Sequence, residues 1–155
     1  MLKPGDKAPA FSLFDTEKNK VSLSDFEGRN VLILFFPLAF TSVCTTELCS
    51  VRDNFSKYEK LDTVVLGISV DSLFTLKKYK EEQALNFPLL SDFNKTASQD
   101  YGSIYETFGF EMKGVSKRSA FLIDKNGNIQ YAEVLDNAGE IPDFKAIQEA
   151  LLTFA

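Results

Sequence analysis

The sequence predicts an α/β fold in which helices flank a central mixed β-sheet and a β-hairpin lies at the N-terminus. Two apolar runs, 31–36 and 63–70, have the continuous hydrophobicity of strands that are covered on both faces. Segments with helical spacing alternate with these runs, which favours parallel strands joined through helices. A hairpin signal at Asn126-Gly127 adds antiparallel strands, so the sheet is expected to be mixed.

The N-terminal hairpin is predicted from two short extended pieces between Phe11 and Leu23, around the polar residues 15–20. After Pro37 the apolar spacing becomes helical. One helix face is formed by Cys44, Leu48, Val51, Phe55 and Tyr58. A second helix is expected over 73–85 and a shorter one over 96–105, and Pro88 ends the segment that follows the second helix.

The last third of the chain is predicted to form two strands, 119–124 and 129–135, and a final helix. Asn126-Gly127 between the strands is typical of a two-residue type I′ turn, which needs positive φ at both positions. The final helix is indicated by apolar residues at positions i, i+3, i+7 and i+10, namely Phe144, Ile147, Leu151 and Phe154.

Length and charge restrict the class of protein. A chain of 155 residues fits one domain, so residues 1–155 are expected to form a single unit. A net charge of −5 argues against binding to nucleic-acid phosphates. The longest apolar run, 31–40, has about half the length of a membrane helix. Since the N-terminus also has no signal-peptide pattern, a cytoplasmic protein without a membrane segment is expected.

The absence of histidine and the low number of cysteines exclude several kinds of catalytic and metal site. The chain has no histidine, which excludes histidine-based catalytic triads, histidine-ligated zinc and a histidine pH switch. Its two cysteines, Cys44 and Cys49, are too few for a four-thiolate metal site within one chain. We therefore expect no metal site.

The segment from Phe35 to Cys44 lies at a predicted strand-to-helix turn, where α/β sheets commonly hold ligands. Near a helix N-terminus, unpaired N–H groups and the helix dipole would stabilise a Cys44 thiolate. Thr41 can present a hydroxyl to the same sulfur, and Pro37 shapes the loop. Taken singly, these residues also fit ordinary roles, Cys44 as a small core residue and the others in the loop and the helix cap.

Together, the residues Pro37-x-x-x-Thr41-x-x-Cys44 resemble the active-site motif of the peroxiredoxins, a family of thiol-dependent peroxidases. Within that family, 35–44 and 87–93 are similar to the alkyl hydroperoxide reductase E branch. The spacing of Cys44 and Cys49 is similar to the bacterioferritin-comigratory (PrxQ) branch. The resemblance covers nearly the whole chain, including 3–13, 87–92, 97–102 and 117–124, the last resembling the strand with the family's essential arginine.

The resemblance implies a thioredoxin-like fold and reduction of hydrogen peroxide and organic hydroperoxides without a cofactor. It implies that Cys44 is the peroxidatic cysteine, oxidised to a sulfenic acid, and that Thr41 and Arg118 bind the peroxide oxygens and the thiolate. Without the resemblance, Arg118 would fit a solvated cation at a strand end. Glu47 fits either a partner that orients an arginine such as Arg118 or a favourable carboxylate in the first turn of a helix.

Two roles are open for Cys49, that of a resolving cysteine and that of a spectator. Residues five apart on a regular helix have Cα atoms about 8.6 Å apart, whereas a disulfide needs about 4.4–6.8 Å. A Cys44–Cys49 disulfide therefore requires the first turns of the helix to unwind. The bacterioferritin-comigratory branch implies this resolving role, with recycling by thioredoxin or a similar thiol reductant. In the alternative, Cys49 is a spectator and the chain is a one-cysteine enzyme reduced by an external thiol.

Other activities on the same fold are weaker alternatives. A thiol–disulfide oxidoreductase typically uses Cys-x-x-Cys, but here four residues separate the cysteines. A peroxide sensor or chaperone would use the same oxidation to change partners. The expected partners are a peroxide and a thiol reductant, with no nucleic acid and no membrane. The size of the chain, set against the family, implies a monomer or homodimer.

Overall fold

The computed structural model describes residues 1–154 and contains the predicted mixed sheet with flanking helices. The elements in chain order are β1 (Ser12–Asp15), β2 (Lys20–Ser22), β3 (Asn30–Phe35), α1 (Ser42–Asp53), α2 (Phe55–Glu59), β4 (Thr63–Ser69), α3 (Leu73–Gln83), β5 (Leu89–Ser91), α4 (Thr96–Asp100), β6 (Thr107–Phe108), β7 (Met112–Lys113), β8 (Arg118–Ile123), β9 (Ile129–Leu135) and α5 (Phe144–Phe154). Seven strands form one sheet in the order β2-β1-β5-β4-β3-β8-β9, in which β3, β4 and β5 are parallel. β6 and β7 pair separately. The prediction of a mixed sheet with an N-terminal hairpin is confirmed.

The inner strand β3 separates two apolar layers, because successive side chains of a strand point to opposite faces. All six of its residues are buried. Leu32 and Leu34 belong to the layer that contains buried residues of α1, α3 and α5. Ile33 and Phe35 belong to the other layer, with α4 and the N-terminal segment. This two-sided burial explains why the run 31–36 is apolar throughout.

The pairing of β8 with β3 determines where the site forms. β8 runs antiparallel to β3, with Ser119 opposite Phe35 and Ile123 opposite Val31. Arg118, the first residue of β8, therefore lies at the edge where β3 ends and the chain turns towards α1. β4 ends at the same edge, because it pairs in parallel with β3 and places Ile68 beside Phe35.

The single helix predicted from Cys44 to Tyr58 is wrong in its continuity. α1 ends at Asp53 and α2 begins at Phe55, with Asn54 between them at φ −107° and ψ 17°. The Asn54 side chain donates to the carbonyl of Ser50 at 2.9 Å. Asparagine side chains compete with backbone groups in this way, which disfavours an uninterrupted helix.

Several short elements also differ from the sequence prediction, and the short strands β6 and β7 were not predicted. The short helix expected over 96–105 ends at Asp100, and Gly102 follows in the left-handed region at φ +64°. The three-residue strand β5 was not predicted, because three residues are too few to show the alternation of apolar and polar side chains that indicates a strand.

The type I′ turn predicted at Asn126-Gly127 is also wrong. Between Asp124 and Asn128 only Gly127 has positive φ, at +84°. The N–H of Gly127 donates to the carbonyl of Asp124, and the Asp124 carboxylate accepts from the N–H groups of Asn126 and Asn128. The aspartate side chain thus organises a wider turn with one left-handed glycine. Within residues 1–154, no helix is long and apolar enough to cross a membrane.

Candidate active site

The loop between β3 and α1 is anchored by Asp71, two residues after the end of β4. Its Oδ2 accepts hydrogen bonds from the N–H of Ala39 at 2.8 Å and from the hydroxyl of Ser69 at 2.7 Å. The hydroxyl of Ser91 donates to the Asp71 carbonyl at 2.6 Å. One residue thus ties the ends of β4 and β5 to the loop. Sequence analysis missed Asp71, although an acid at the end of the apolar run 63–70 was an available signal.

The loop then turns sharply into α1. Pro37, two residues after the end of β3, is buried, and Phe40 adopts a left-handed conformation at φ +67°. Thr41 is the N-cap of α1. It is exposed, and its hydroxyl donates to the carbonyl of Leu38 at 2.8 Å. Among residues 1–154 no hydrogen bond joins this hydroxyl to the Cys44 sulfur, so the contact expected for Thr41 would need a rotation of its side chain.

Cys44 is the third residue of α1 and is fully buried. Its sulfur lies 3.1 Å from Arg118 Nη2, which donates to it. The helix N-terminus adds unpaired backbone N–H groups to the same region. A fixed cation and a helix start both favour the negative charge of a thiolate.

The Arg118 guanidinium is held by three partners, two on α1 and one in the loop after β9. Nη1 donates to Glu47 Oε1 at 2.8 Å, and Nη2 contacts Cys44. Nη2 and Nε donate to the Ala138 carbonyl at 3.0 and 3.3 Å. Burial works against the charge of Arg118, but Glu47 and Cys44 outweigh it, so the pKa of Arg118 is raised. A backbone carbonyl such as that of Ala138 leaves no signal in the sequence, so this partner was missed.

Glu47 follows Cys44 by three residues on α1 and is fully buried. Its second oxygen, Oε2, has no hydrogen-bond partner among residues 1–154. Burial raises the pKa of Glu47 to about 7, although Arg118 acts in the opposite direction. Of the two roles open to Glu47, the structure shows the contact with Arg118.

Cys49 lies on the same helix but does not approach Cys44. α1 is continuous through both residues, and both are free thiols. The Cys49 thiol is partly exposed and donates to Gln83 Oε1 of α3 at 3.5 Å. The structure therefore brings Cys44, Arg118 and Glu47 together and leaves Cys49 apart from them. Such an arrangement can stabilise a sulfur nucleophile and the charge on a reacting oxygen beside it.

Comparisons with known proteins agree with this geometry. Residues 4–132 match the AhpC/TSA family. A putative peroxiredoxin of Mycobacterium tuberculosis is 41% identical over 134 residues, 85% of each chain. Peroxiredoxin Bcp of Escherichia coli is 41% identical over 132 residues, 84% of each chain.

Solved structures show the same fold. The peroxidoxin BcpB of Mycobacterium tuberculosis superposes with a TM-score of 0.88 at 24% identity, covering 100% of this chain and 99% of that one. The reduced 2-Cys peroxiredoxin of Plasmodium vivax gives 0.83 at 29% identity, covering 96% and 79%. The fold and the buried thiol beside an arginine agree with the 41% identity to peroxiredoxins over most of their length. The chain therefore belongs to the AhpC/TSA family and is a peroxiredoxin, a thiol-dependent peroxidase.

Proposed function

We propose that the chain reduces hydrogen peroxide and organic hydroperoxides with Cys44 as its peroxidatic cysteine. The observation that carries this proposal is the Arg118 guanidinium, 3.1 Å from the Cys44 sulfur and fixed by Glu47. A fixed cation stabilises both the thiolate and the charge that develops on a peroxide oxygen. Since the chain has no histidine, this stabilisation falls to Arg118, the N–H groups of α1 and the Thr41 hydroxyl.

In the first step, the Cys44 thiolate attacks one peroxide oxygen. The S–O bond forms while the O–O bond breaks, and the other oxygen leaves as hydroxide or alkoxide and takes up a proton. Two electrons pass from the sulfur to the peroxide, giving a sulfenic acid and water or an alcohol. In this proposal Thr41 turns its hydroxyl from Leu38 towards the bound peroxide, while Pro37 shapes the pocket wall.

We assign the resolving step to Cys49. Its thiolate attacks the sulfur of the sulfenic acid, the S–S bond forms, the S–O bond breaks, and the hydroxide that leaves becomes water. The first turns of α1 must open, because five helical residues place the Cα atoms about 8.6 Å apart. A dithiol protein, thioredoxin or a similar reductant, then reduces the disulfide by two exchange steps.

The test is intact mass after one equivalent of hydrogen peroxide, together with peroxide consumption in the presence of thioredoxin, its reductase and NADPH. We expect the wild type to lose two hydrogens, Cys49→Ser to gain one oxygen, and Cys44→Ser to remain unchanged and inactive. Peroxide turnover by Cys44→Ser would overturn the assignment of Cys44. A stable gain of one oxygen in the wild type would make Cys49 a spectator and the chain a one-cysteine enzyme.

A further inference from the structure

One face of α1 is fastened to α3 by a set of side chains of which the proposed mechanism uses only Cys49. The hydroxyls of Thr45 and Tyr79 lie 2.9 Å apart and share a hydrogen bond. One turn further along both helices, the Cys49 thiol donates to Gln83 Oε1 at 3.5 Å. These two contacts form what we call the α1–α3 seam.

Beyond the seam, the two elements stay connected through Arg52. Its guanidinium donates to the Gln83 carbonyl, and its own carbonyl accepts from Asn86 Nδ2 at 3.3 Å. Positions 45, 49 and 52 of α1 are spaced by four and three residues, and positions 79 and 83 of α3 by four, while Asn86 lies three residues past the end of α3. Spacing of this kind keeps the contacts on one face of each helix. The residues that must move for Cys49 to reach Cys44 are therefore those that contact α3.

Tyr79 is a fixed anchor for this seam. It is fully buried, and its ring packs against Phe40 and Phe36 at centroid distances of 5.1 and 6.4 Å. If the first turns of α1 unwind, Thr45 moves away and the Tyr79 hydroxyl loses its partner. An unpaired buried hydroxyl carries a desolvation cost, so the hydrogen bond favours closed α1 by more than its own strength alone.

We propose that Tyr79 and Gln83 are positioning residues that hold α1 closed and thereby set how fast Cys49 reaches the oxidised Cys44. The inference rests on the proposed role of Cys49 as the resolving cysteine. Closed α1 keeps Cys44 beside Arg118 for the first step, but it also leaves the sulfenic acid open to a second peroxide. The strength of the seam thus divides the sulfenic acid between the disulfide and the over-oxidised sulfinic acid.

The test compares Tyr79→Phe with Tyr101→Phe as a matched control. Tyr101 is also buried, and its hydroxyl donates to the Pro9 carbonyl in the opposite apolar layer. Single-turnover reactions quenched with acid and a thiol-blocking reagent give the rates of sulfenic acid and disulfide formation by mass. We expect Tyr79→Phe to form the disulfide about two- to tenfold faster, the range for losing one hydrogen bond.

Further measurements distinguish a specific effect of the α1–α3 seam from a general destabilisation of the protein. At high peroxide concentration, Tyr79→Phe should give a smaller yield of Cys44 sulfinic acid than wild type. The rate of sulfenic acid formation should stay within about twofold of wild type, because the first step takes place in closed α1. Thr45→Val should accelerate the disulfide by the same factor, and the double variant should add nothing further, because both remove one contact. Gln83→Leu should add its own acceleration to that of Tyr79→Phe.

Amide exchange of the reduced protein separates this inference from the proposed function. Tyr79→Phe should raise exchange over 44–49 without peroxide, whereas Tyr101→Phe should not. Unchanged exchange and an unchanged disulfide rate in Tyr79→Phe overturn the seam. If the wild type forms no disulfide, the resolving role of Cys49 fails, and the positioning role of Tyr79 and Gln83 fails with it, even where the exchange result stands.

Discussion

Arg118 and Glu47 are 71 residues apart in the sequence, yet Nη1 and Oε1 lie 2.8 Å apart in a part of the core where neither side chain is more than 2% exposed. Removing one partner of a buried ion pair leaves an uncompensated charge, at a cost of about 3–5 kcal/mol. The pair also fixes the guanidinium at the Cys44 sulfur. Glu47 therefore acts on the reacting sulfur through Arg118 rather than by touching it.

Arg118→Lys tests whether the planar shape of the Arg118 guanidinium, and not only its positive charge, is needed for the reaction with peroxide. One ammonium group cannot contact Cys44, Glu47 and the Ala138 carbonyl with the same fixed geometry. We expect the rate of Cys44 with peroxide, measured by competition kinetics, to fall about tenfold to hundredfold. The control is Arg29→Lys, since Arg29 is exposed and pairs with Asp62. A rate within twofold of wild type at equal stability would place Arg118 outside the chemistry.

Glu47→Gln tests the electrostatics of the buried carboxyl. Its pKa is raised from 4.5 to about 7, so the folded state binds this proton more tightly than the unfolded state. The resulting stabilisation is fully present below pH 4.5 and is lost as pH rises to about 7. The unfolding free energy of wild type relative to Glu47→Gln should therefore fall across this window, with a slope of up to about 1.4 kcal/mol per pH unit.

Urea unfolding of both proteins between pH 4.5 and 8 measures this difference, in which other titrating groups largely cancel. A wild type that loses no stability relative to Glu47→Gln as pH rises would mean that the carboxyl is ionised throughout and that Arg118 outweighs burial.

Cys49→Ser tests the coupling of oxidation to structure. In the wild type we expect peroxide to raise amide exchange over 44–52, because the disulfide cannot form within an intact α1. Reduction should reverse the change. Cys49→Ser should show no such rise, should accumulate the sulfenic acid, and should over-oxidise at lower peroxide. Equal exchange in both redox states of the wild type would argue against a resolving role.

Asp71→Ala tests the anchor of the active-site loop. It removes the acceptor for the Ala39 N–H and the Ser69 hydroxyl, so we expect a loss of about 1–3 kcal/mol in unfolding free energy. Exchange of the Ala39 amide should rise, and the reaction of Cys44 with peroxide should slow. Asp62→Asn, which breaks an exposed ion pair and keeps a residue that tolerates the left-handed φ of +50°, should cost less than about 1 kcal/mol. Equal effects of the two substitutions would show that Asp71 is not an anchor.

The predictable parts of the molecule are those whose signal is local. Runs such as 31–36 are apolar because both faces of the strand are covered, and this alone indicates a central strand. β5 depends instead on pairing with β1 and β4, which are distant in sequence. Thus the pairing that makes it a strand cannot be read from its three residues.

The same division holds within the site. Pro37, Thr41 and Cys44 form one short motif, whereas Arg118 alone fits a solvated cation and only the resemblance pointed to it. Its burial requires partners from α1 and from the loop after β9. Contacts of Asp71 and Tyr79 likewise join segments whose proximity depends on the finished sheet, so neither residue stood out before the structure.

The antiparallel placement of β8 beside β3 has a consequence for synthesis on the ribosome. Cys44 is translated 74 residues before Arg118. During that interval a nascent chain carries its thiol without the cation that contacts it in the folded protein. Cys44 would then become reactive towards peroxide only when β8 has paired with β3 and Arg118 contacts the sulfur. The unfinished chain would therefore be protected from oxidation until the active site is assembled.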